Sequence, residues 1–189
     1  MTAVTIFVLL LIFVVSKTAV IVPMRGNFIK ERLGKFAGVM RPGFHILIPF
    51  FEKAAYKREI REQVMDVPPQ SCITRDNIQV QVDGLVYLKV IDAVNASYGI
   101  EDYRIAAVNL AQTTMRSEIG KLTLHESLSE RERLNEAVVR EIDKASETWG
   151  IKVLRYEIMN IRPTEHMINT LEKQMEAERE ATEHKFRSE

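Results

Sequence analysis

Cysteine is almost absent from this sequence, since Cys72 is the only one among 189 residues. A single cysteine cannot form a disulfide within its own chain, nor can it assemble a cysteine-based zinc site there. Cys72 follows Pro68 and Pro69 near a strand start. We therefore interpret it as a small packing residue and not as a reactive thiol.

An excess of charge of one sign is also absent, because Lys+Arg and Asp+Glu each number 26. A formal net charge of zero argues against a dedicated nucleic-acid binder. The charges are unevenly distributed: residues 1–61 contain ten Lys/Arg and three Asp/Glu, whereas residues 126–189 contain eleven and fifteen. The sequence therefore predicts a basic N-terminal part and a mildly acidic C-terminal part.

Common catalytic and cofactor motifs are missing. The sequence contains no GxxxxGK or GxGxxG phosphate loop, no HExxH metal motif and no GxSxG nucleophile motif. The four histidines are scattered along the chain, at His45, His125, His166 and His184. We therefore predict no catalytic residues, no cofactor and no metal site.

The strongest pattern that is present is the stretch from Ile78 to Ile91, IQVQVDGLVYLKVI. Its even positions are all apolar or glycine, and its early odd positions are Gln, Gln and Asp. Alternation of this kind predicts a strand with one buried face. Gly84, in the middle, predicts a bulge or a bend.

The N-terminal stretch from Ala3 to Val15 is apolar apart from Thr5. As a helix it would be about 20 Å long, shorter than the hydrocarbon core of a bilayer at ~30 Å. We predict a membrane anchor over residues 1–17, with spanning and half-inserted arrangements both open. A cleaved signal peptide and a buried helix are the alternatives, although no Lys or Arg precedes the run as in a signal peptide. The anchor residues are Ile6, Phe7, Val8, Leu9, Leu10, Leu11, Ile12, Phe13, Val14 and Val15.

Basic residues follow the predicted anchor closely, at Lys17, Arg25, Lys30, Arg32 and Lys35. By the positive-inside rule they place the folded part in the cytoplasm. The same side chains would face anionic lipid headgroups. An ordinary solvated set of charges is the alternative.

A second apolar run extends from Phe44 to Phe51, and Pro49 within it excludes a central strand. We predict an edge strand or loop that contacts the membrane leaflet, with packing in the core as the alternative. The candidate leaflet-contact residues are Phe44, Ile46, Leu47, Ile48, Phe50 and Phe51.

The rest of the chain mixes strand and helix patterns. Val64–Val67 predicts a short strand that ends at Pro68, and Ile151–Ile161 predicts a later one. Ser129 and Glu132 form a capping-box pattern that predicts the start of a helix. Two further sets of apolar residues have helical spacing: Ile105, Val108, Met115 and Ile119, and Leu134, Val138, Ile142 and Ala145.

From Thr164 onward the pattern predicts one thin, polar helix over residues 164–189. A helix of this kind needs a partner to be stable. We predict that it begins a coiled coil, with a seam for self-association formed by Ile168, Leu171 and Met175.

Several stretches are similar to one known family. ERLGKF (Glu31 to Phe36), PGFHILIPF (Pro42 to Phe50) and TRDNIQVQVDGLVYLKV (Thr74 to Val90) resemble the SPFH, or band 7, family of stomatins, prohibitins and flotillins. LAQTTMRSEIGKLTL (Leu110 to Leu124) and WGIKVLRYEI (Trp149 to Ile158) look most like its stomatin-like, paraslipin branch. The resemblance covers about Val20 to Glu180.

The resemblance implies an α+β fold in residues 18–163, with a twisted antiparallel sheet, packed helices and then a coiled-coil helix. It also implies a non-enzymatic scaffold in a prokaryotic plasma (inner) membrane, which forms large homo-oligomers, encloses membrane lipid and organises a membrane microdomain. Its expected partner proteins are a membrane protease or a channel. The alternatives are a soluble or secreted binding module and, less favoured, a membrane-associated hydrolase.

One departure from the family concerns the C-terminus, where ATEHKFRSE (Ala181 to Glu189) replaces the long Ala/Glu/Lys-rich helix that family chains continue with. The end reflects a cut chain, a shifted reading frame or a short natural variant. We expect side-by-side packing of the globular parts to persist in weaker form, without full cage closure.

Overall fold

The computed structural model describes residues 18–164, which divide into two compact units. The first unit contains residues 18–64, 87–106 and 143–154, and the second contains residues 65–86, 107–142 and 155–164. Each of these residue sets brings together chain segments that are distant in sequence.

Five strands lie wholly within residues 18–64, in the N-terminal part of the first unit. They are β1 (Ala19–Val22), β2 (Gly26–Arg32), β3 (Lys35–Met40), β4 (Gly43–Ile46) and β5 (Glu52–Glu59). β1 pairs with β4 in a two-stranded antiparallel ribbon, and β2 pairs antiparallel with both β3 and β5 in the order β3-β2-β5. The prediction of a single sheet is wrong, because the described strands form three.

The core of the first unit's front part is a small cluster of buried side chains, Val22, Met40 and Leu47. Val20, Phe28 and Ala54 pack against it from the surrounding strands. β1, β2, β3 and β5 therefore all contribute to one apolar contact region, and its residues come from almost every strand before residue 60.

The third sheet contains β6 (Gln63–Ile73), β7 (Gln79–Val90) and β8 (Ile151–Pro163), in that order. β7 confirms the strand predicted from its alternating pattern, since Val80, Val82 and Val86 are buried. In the second unit β7 and β8 run in opposite directions, because the Thr164 amide donates to the Gln79 carbonyl (3.1 Å) while Gly84 lies beside Glu157.

One prediction about this sheet is wrong. The strand predicted to stop at Pro68 continues through both prolines to Ile73. β6 is an edge strand, where a missing amide hydrogen does not interrupt the sheet interior. Position 84 needs glycine because Tyr156 and the Glu157 carbonyl occupy the space where a side chain would start.

Four α-helices complete the described residues: α1 (Asn95–Tyr98), α2 (Tyr103–Ile119), α3 (Leu124–Ser129) and α4 (Arg131–Ser146). A 3-10 turn, Glu147–Trp149, follows α4 and ends at Gly150, which has a positive φ of 65°. The predicted stripe of α4 is confirmed at Leu134, Val138 and Ile142, which are buried, whereas Ala145 is only partly buried.

The face of α2 agrees with the prediction at Met115 and Ile119 and differs from it at Ile105. Ile105 is exposed, whereas Ala107, Ala111, Met115 and Ile119 are buried at four-residue spacing. Small alanines therefore carry the packed face, and the larger Ile105 points to solvent.

The capping box also differs from the prediction. Thr123 and Glu126 exchange side-chain and backbone hydrogen bonds at the start of α3. Ser129 instead donates its hydroxyl to carbonyls of the preceding turn, and so it closes α3 rather than opening α4.

Candidate functional site

The β1–β4 ribbon is apolar on both of its faces. Ile21 pairs with Phe44, and Ile46 pairs with Ala19 on the same side of the ribbon. The side chains of Ile21, Phe44 and Ile46 are all exposed. Val22 projects from the opposite side and is buried in the core cluster. An antiparallel ribbon with one solvated face normally carries polar residues there, so a second partner is expected on the exposed face.

The apolar exposure continues along the chain from β4 into the connection to β5. Ile48 and Phe51 are exposed, and Phe50 is 93% exposed. Together with the ribbon residues they form what we name the apolar surface: Ile21, Phe44, Ile46, Ile48, Phe50 and Phe51. Five of these six belong to the predicted leaflet-contact set.

Leu47, the remaining member of that predicted set, lies elsewhere. It is buried in the core cluster, and its amide donates to the Thr18 carbonyl (2.8 Å). Because its side chain is covered by protein, Leu47 cannot contact a leaflet in this fold. Leu47 thus confirms core packing for one position within the Phe44–Phe51 run.

Phe50 has an unusual backbone conformation, with a positive φ of 71°. A non-glycine residue in this region is strained, and an aromatic one is rare there. Packing against residues 18–164 does not explain the strain, since the ring is almost wholly exposed. Strain of this kind points to a role for the exposed side chain.

Glu52 fixes the loop that carries the aromatic residues. Its Oε2 accepts from the Ile48 amide (3.0 Å), and the Glu52 amide donates to the Ile48 carbonyl (2.9 Å). Its Oε1 accepts from Arg32 Nε (3.0 Å) and Nη2 (2.6 Å), and Lys30 Nζ lies 3.4 Å away. The Ile48 amide, then Arg32 and Lys30, outweigh the effect of burial and lower the pKa of Glu52 to about 2. Glu52 is therefore ionised at neutral pH and holds both ends of the loop.

Sequence reasoning missed three parts of this site. Ile21 could have been found from the pairing of two apolar strands, because it faces Phe44 across the ribbon. Met24, in the turn after β1, is also highly exposed. Glu52 could have been noticed as the single acid that directly follows a long apolar run.

Other predicted residues lie outside residues 18–164 and are not described structurally. They include the whole anchor set, Ile6 to Val15, and the seam residues Ile168, Leu171 and Met175. Among residues 18–164, no helix has the length and apolar character needed to cross a bilayer. The same residues contain no group of three or more His, Cys, Asp or Glu side chains suited to hold a metal ion.

Neither Cys72 nor His45 adds a reactive group to the apolar surface. Cys72 is a free cysteine that is buried, as predicted for a packing residue, and its burial raises the pKa of its thiol. His45 is the histidine closest in sequence to the surface, and its Nε2 lies 2.7 Å from the Arg41 carbonyl. The apolar surface is suited to contact with an apolar phase.

A family model described as SPFH domain / Band 7 family matches residues 20–189. The chain belongs to the SPFH/Band 7 family. The resemblance found in its motifs is confirmed, and the α+β architecture with antiparallel sheets fits this family.

Individual relatives support the stomatin-like branch. Human stomatin-like protein 2, mitochondrial, is 44% identical over 158 residues, which are 84% of this chain and 44% of the relative. An uncharacterized protein of Schizosaccharomyces pombe is 45% identical over 159 residues, 84% of this chain and 45% of its own length. An uncharacterized protein of Methanocaldococcus jannaschii is 40% identical over 168 residues, 89% of this chain and 84% of its own. The chain thus spans less than half the length of the human and fission-yeast relatives.

Proposed function

We propose that this SPFH/Band 7 protein is a membrane-bound scaffold whose apolar surface lies against one leaflet. The observation that carries the proposal is the β1–β4 ribbon, which covers the core with one face and exposes Ile21, Phe44 and Ile46 on the other. Exposed apolar groups of this size are unfavourable in water and favourable in the interfacial region of a bilayer.

The surroundings of the surface support the same proposal. The exposed basic residues Arg25, Arg32 and Lys35 belong to the same unit as the apolar surface. Basic side chains beside apolar ones are suited to a leaflet with anionic lipids. By the positive-inside rule the proposed location is the cytoplasmic side of a prokaryotic plasma membrane, with residues 1–17 as the anchor.

The scaffold part of the proposal rests on family membership. Stomatin-like family members are generally membrane scaffolds, so we propose that copies of this chain associate side by side and surround a lipid patch. The helix predicted from residue 164 would extend these contacts through Ile168, Leu171 and Met175. A membrane protease or a channel is the proposed kind of protein that such an assembly organises, without catalysis by the scaffold itself.

Membrane contact is tested by cysteine labelling in native membranes. The Ile46→Cys variant and the Ile105→Cys variant place a thiol at positions that are 67% and 61% exposed in the structure. The native Cys72 is buried and gives a low background. A charged, membrane-impermeant maleimide should modify the Ile105→Cys variant readily and the Ile46→Cys variant slowly. Equal rates at the two positions would contradict membrane contact.

Self-association needs a separate measurement. Light scattering of the full chain in mild detergent should give a protein mass of many subunits. A monomer would contradict the scaffold proposal for this chain while leaving the membrane contact untouched.

A further inference from the structure

The tip of the β2–β3 hairpin is a two-residue turn built from Leu33 and Gly34. Both residues have positive φ, 49° and 80°. Turns of this type favour Asn or Asp followed by Gly, because those residues adopt the conformation readily. Leucine is a poor choice here on backbone grounds, and its side chain is largely exposed. A strained, exposed leucine indicates a contact that is made outside the protein.

A shallow cavity of about 430 Å³ lies beside this turn, lined by Arg32, Leu33, Lys35, Phe36 and Ala37. Leu33 and Phe36 supply exposed apolar groups, and Arg32 and Lys35 supply two positive charges. The lining therefore offers apolar groups to hydrocarbon and two positive charges to an anion.

The two cations differ in how they are held. Arg32 donates Nε–H and one Nη2–H to Glu52, which fixes the guanidinium. A guanidinium has five N–H groups, so three remain for a ligand. Lys35 has no carboxylate partner among residues 18–164. The cavity thus combines the oriented guanidinium of Arg32 with the Lys35 ammonium, which has no carboxylate partner among residues 18–164. This combination suits a phosphate group.

The cavity lies next to the apolar surface. The Leu33 amide donates to the Phe51 carbonyl (3.0 Å), and Arg32 contacts Glu52 at the adjoining residue. A phosphate bound at the hairpin would therefore sit beside the exposed aromatic residues of the β4–β5 connection. An amphiphile, with its anionic head at the hairpin and its chains beside Leu33 and Phe36, matches both parts.

We propose that the β2–β3 hairpin binds the phosphate of an anionic phospholipid, with Arg32 and Lys35 as its ligands. This proposal rests on the membrane contact proposed above and gives it a lipid preference. The single net negative charge of such a lipid is complementary to Lys35, while Arg32 orients the phosphate oxygens. The apolar side chains of Leu33 and Phe36 restrict the ligand to a lipid rather than a soluble phosphate ester.

The preference can be measured with spin-labelled lipids in bilayers that contain the full chain. Spin-labelled phosphatidylglycerol and spin-labelled phosphatidylcholine are compared for their relative association with the protein. The wild-type protein should favour phosphatidylglycerol. In the Lys35→Gln variant this preference should fall by a factor of about five, because one basic residue near the surface contributes about that factor. The Lys35→Arg variant should retain it.

A matched control comes from the same sheet. Lys57, on β5, is also an exposed lysine and lies opposite Phe28. It is five residues from Glu52, about 17 Å along the strand. The Lys57→Gln variant removes the same charge outside the cavity and should leave the preference unchanged. An equal loss in the Lys35→Gln and Lys57→Gln variants would overturn the site in favour of general surface charge.

Two further results separate the alternatives. Excess glycerol 3-phosphate should not abolish the preference; if it does, the ligand is a soluble phosphate ester and the lipid proposal is overturned. Labelling of the Ile46→Cys variant in the same membranes tests the underlying contact. Slow labelling there, with no effect of Lys35→Gln, would refute the headgroup site alone, whereas rapid labelling would refute the membrane contact on which it rests.

Discussion

Gly84 on β7 provides a sharp test of the packing in the second unit. A Cβ at this position would meet the Tyr156 ring and hydroxyl and would lie 2.7 Å from the Glu157 carbonyl oxygen. Tyr156 is buried, and Glu157 O belongs to the backbone of the neighbouring strand. Neither group can move away without disturbing β8, so Gly84→Ala should destabilise the protein.

The expected size follows from the cost of overpacking a core, about 1–3 kcal/mol. For a domain of about 150 residues, each kcal/mol lowers the melting temperature by about 2–4 °C, so the fall should be about 2–12 °C. Thermal unfolding of the full chain in mild detergent, followed by circular dichroism, measures it.

Gly120 supplies the matched control. It follows α2, and its φ lies outside the left-handed region that favours glycine. A Cβ there would lie 3.4–3.7 Å from its nearest neighbours, which is ordinary van der Waals contact. Gly120→Ala should therefore be neutral or stabilising by about 0.4–1 kcal/mol, because it restricts the unfolded chain. A Gly84→Ala protein that melts at or above the wild-type temperature would refute the close approach of β8.

Three further predictions concern the site and its supports. Stability should fall as the pH drops from 4.5 toward about 2, because Glu52 has its ordinary pKa of 4.5 when unfolded and a pKa of about 2 when folded. A Glu52→Gln variant should show a shallower fall in melting temperature over this range. A fall as steep as that of the wild-type protein would contradict the role of Glu52 in holding the loop. Phe50→Gly should not lower the melting temperature, since the ring is exposed and the φ of 71° suits glycine; a marked fall would mean that Phe50 packs within the fold. Asp76→Ala should cost about 1 kcal/mol in denaturant unfolding, because Asp76 accepts from the Leu124 amide at the start of α3.

The parts of the fold that the sequence predicts best are those with a regular period. β7 and the stripe of α4 follow directly from apolar residues at spacings of two and four. The face of α2 was harder, because alanines carry it and alanine is common on exposed helix faces too. β6 was predicted too short, since proline excludes a strand interior but not an edge, and edge position depends on which strands pair.

The site was predictable in part for a similar reason. The composition of the run from Phe44 to Phe51 identifies it as apolar, but it does not predict which of its side chains face the core. Strand pairing decides this: Leu47 turns inward with Val22, and Ile21 joins Phe44 on the outside. The Glu52 clamp depends on Arg32, twenty residues earlier, and contacts over that distance are set by the pairing of β2 with β5.

The most direct test of the account is the depth of residue 50 in a bilayer. The Phe50→Trp variant is reconstituted as the full chain, and its fluorescence is measured with lipids that carry bromine on their acyl chains. The Ile105→Trp variant is the control, because Ile105 is exposed on α2, and the native Trp149 gives both variants the same background. If the apolar surface contacts the membrane, quenching should be strong in the Phe50→Trp variant and weak in the control. Equal, weak quenching in both would contradict the claim that the apolar surface contacts the membrane.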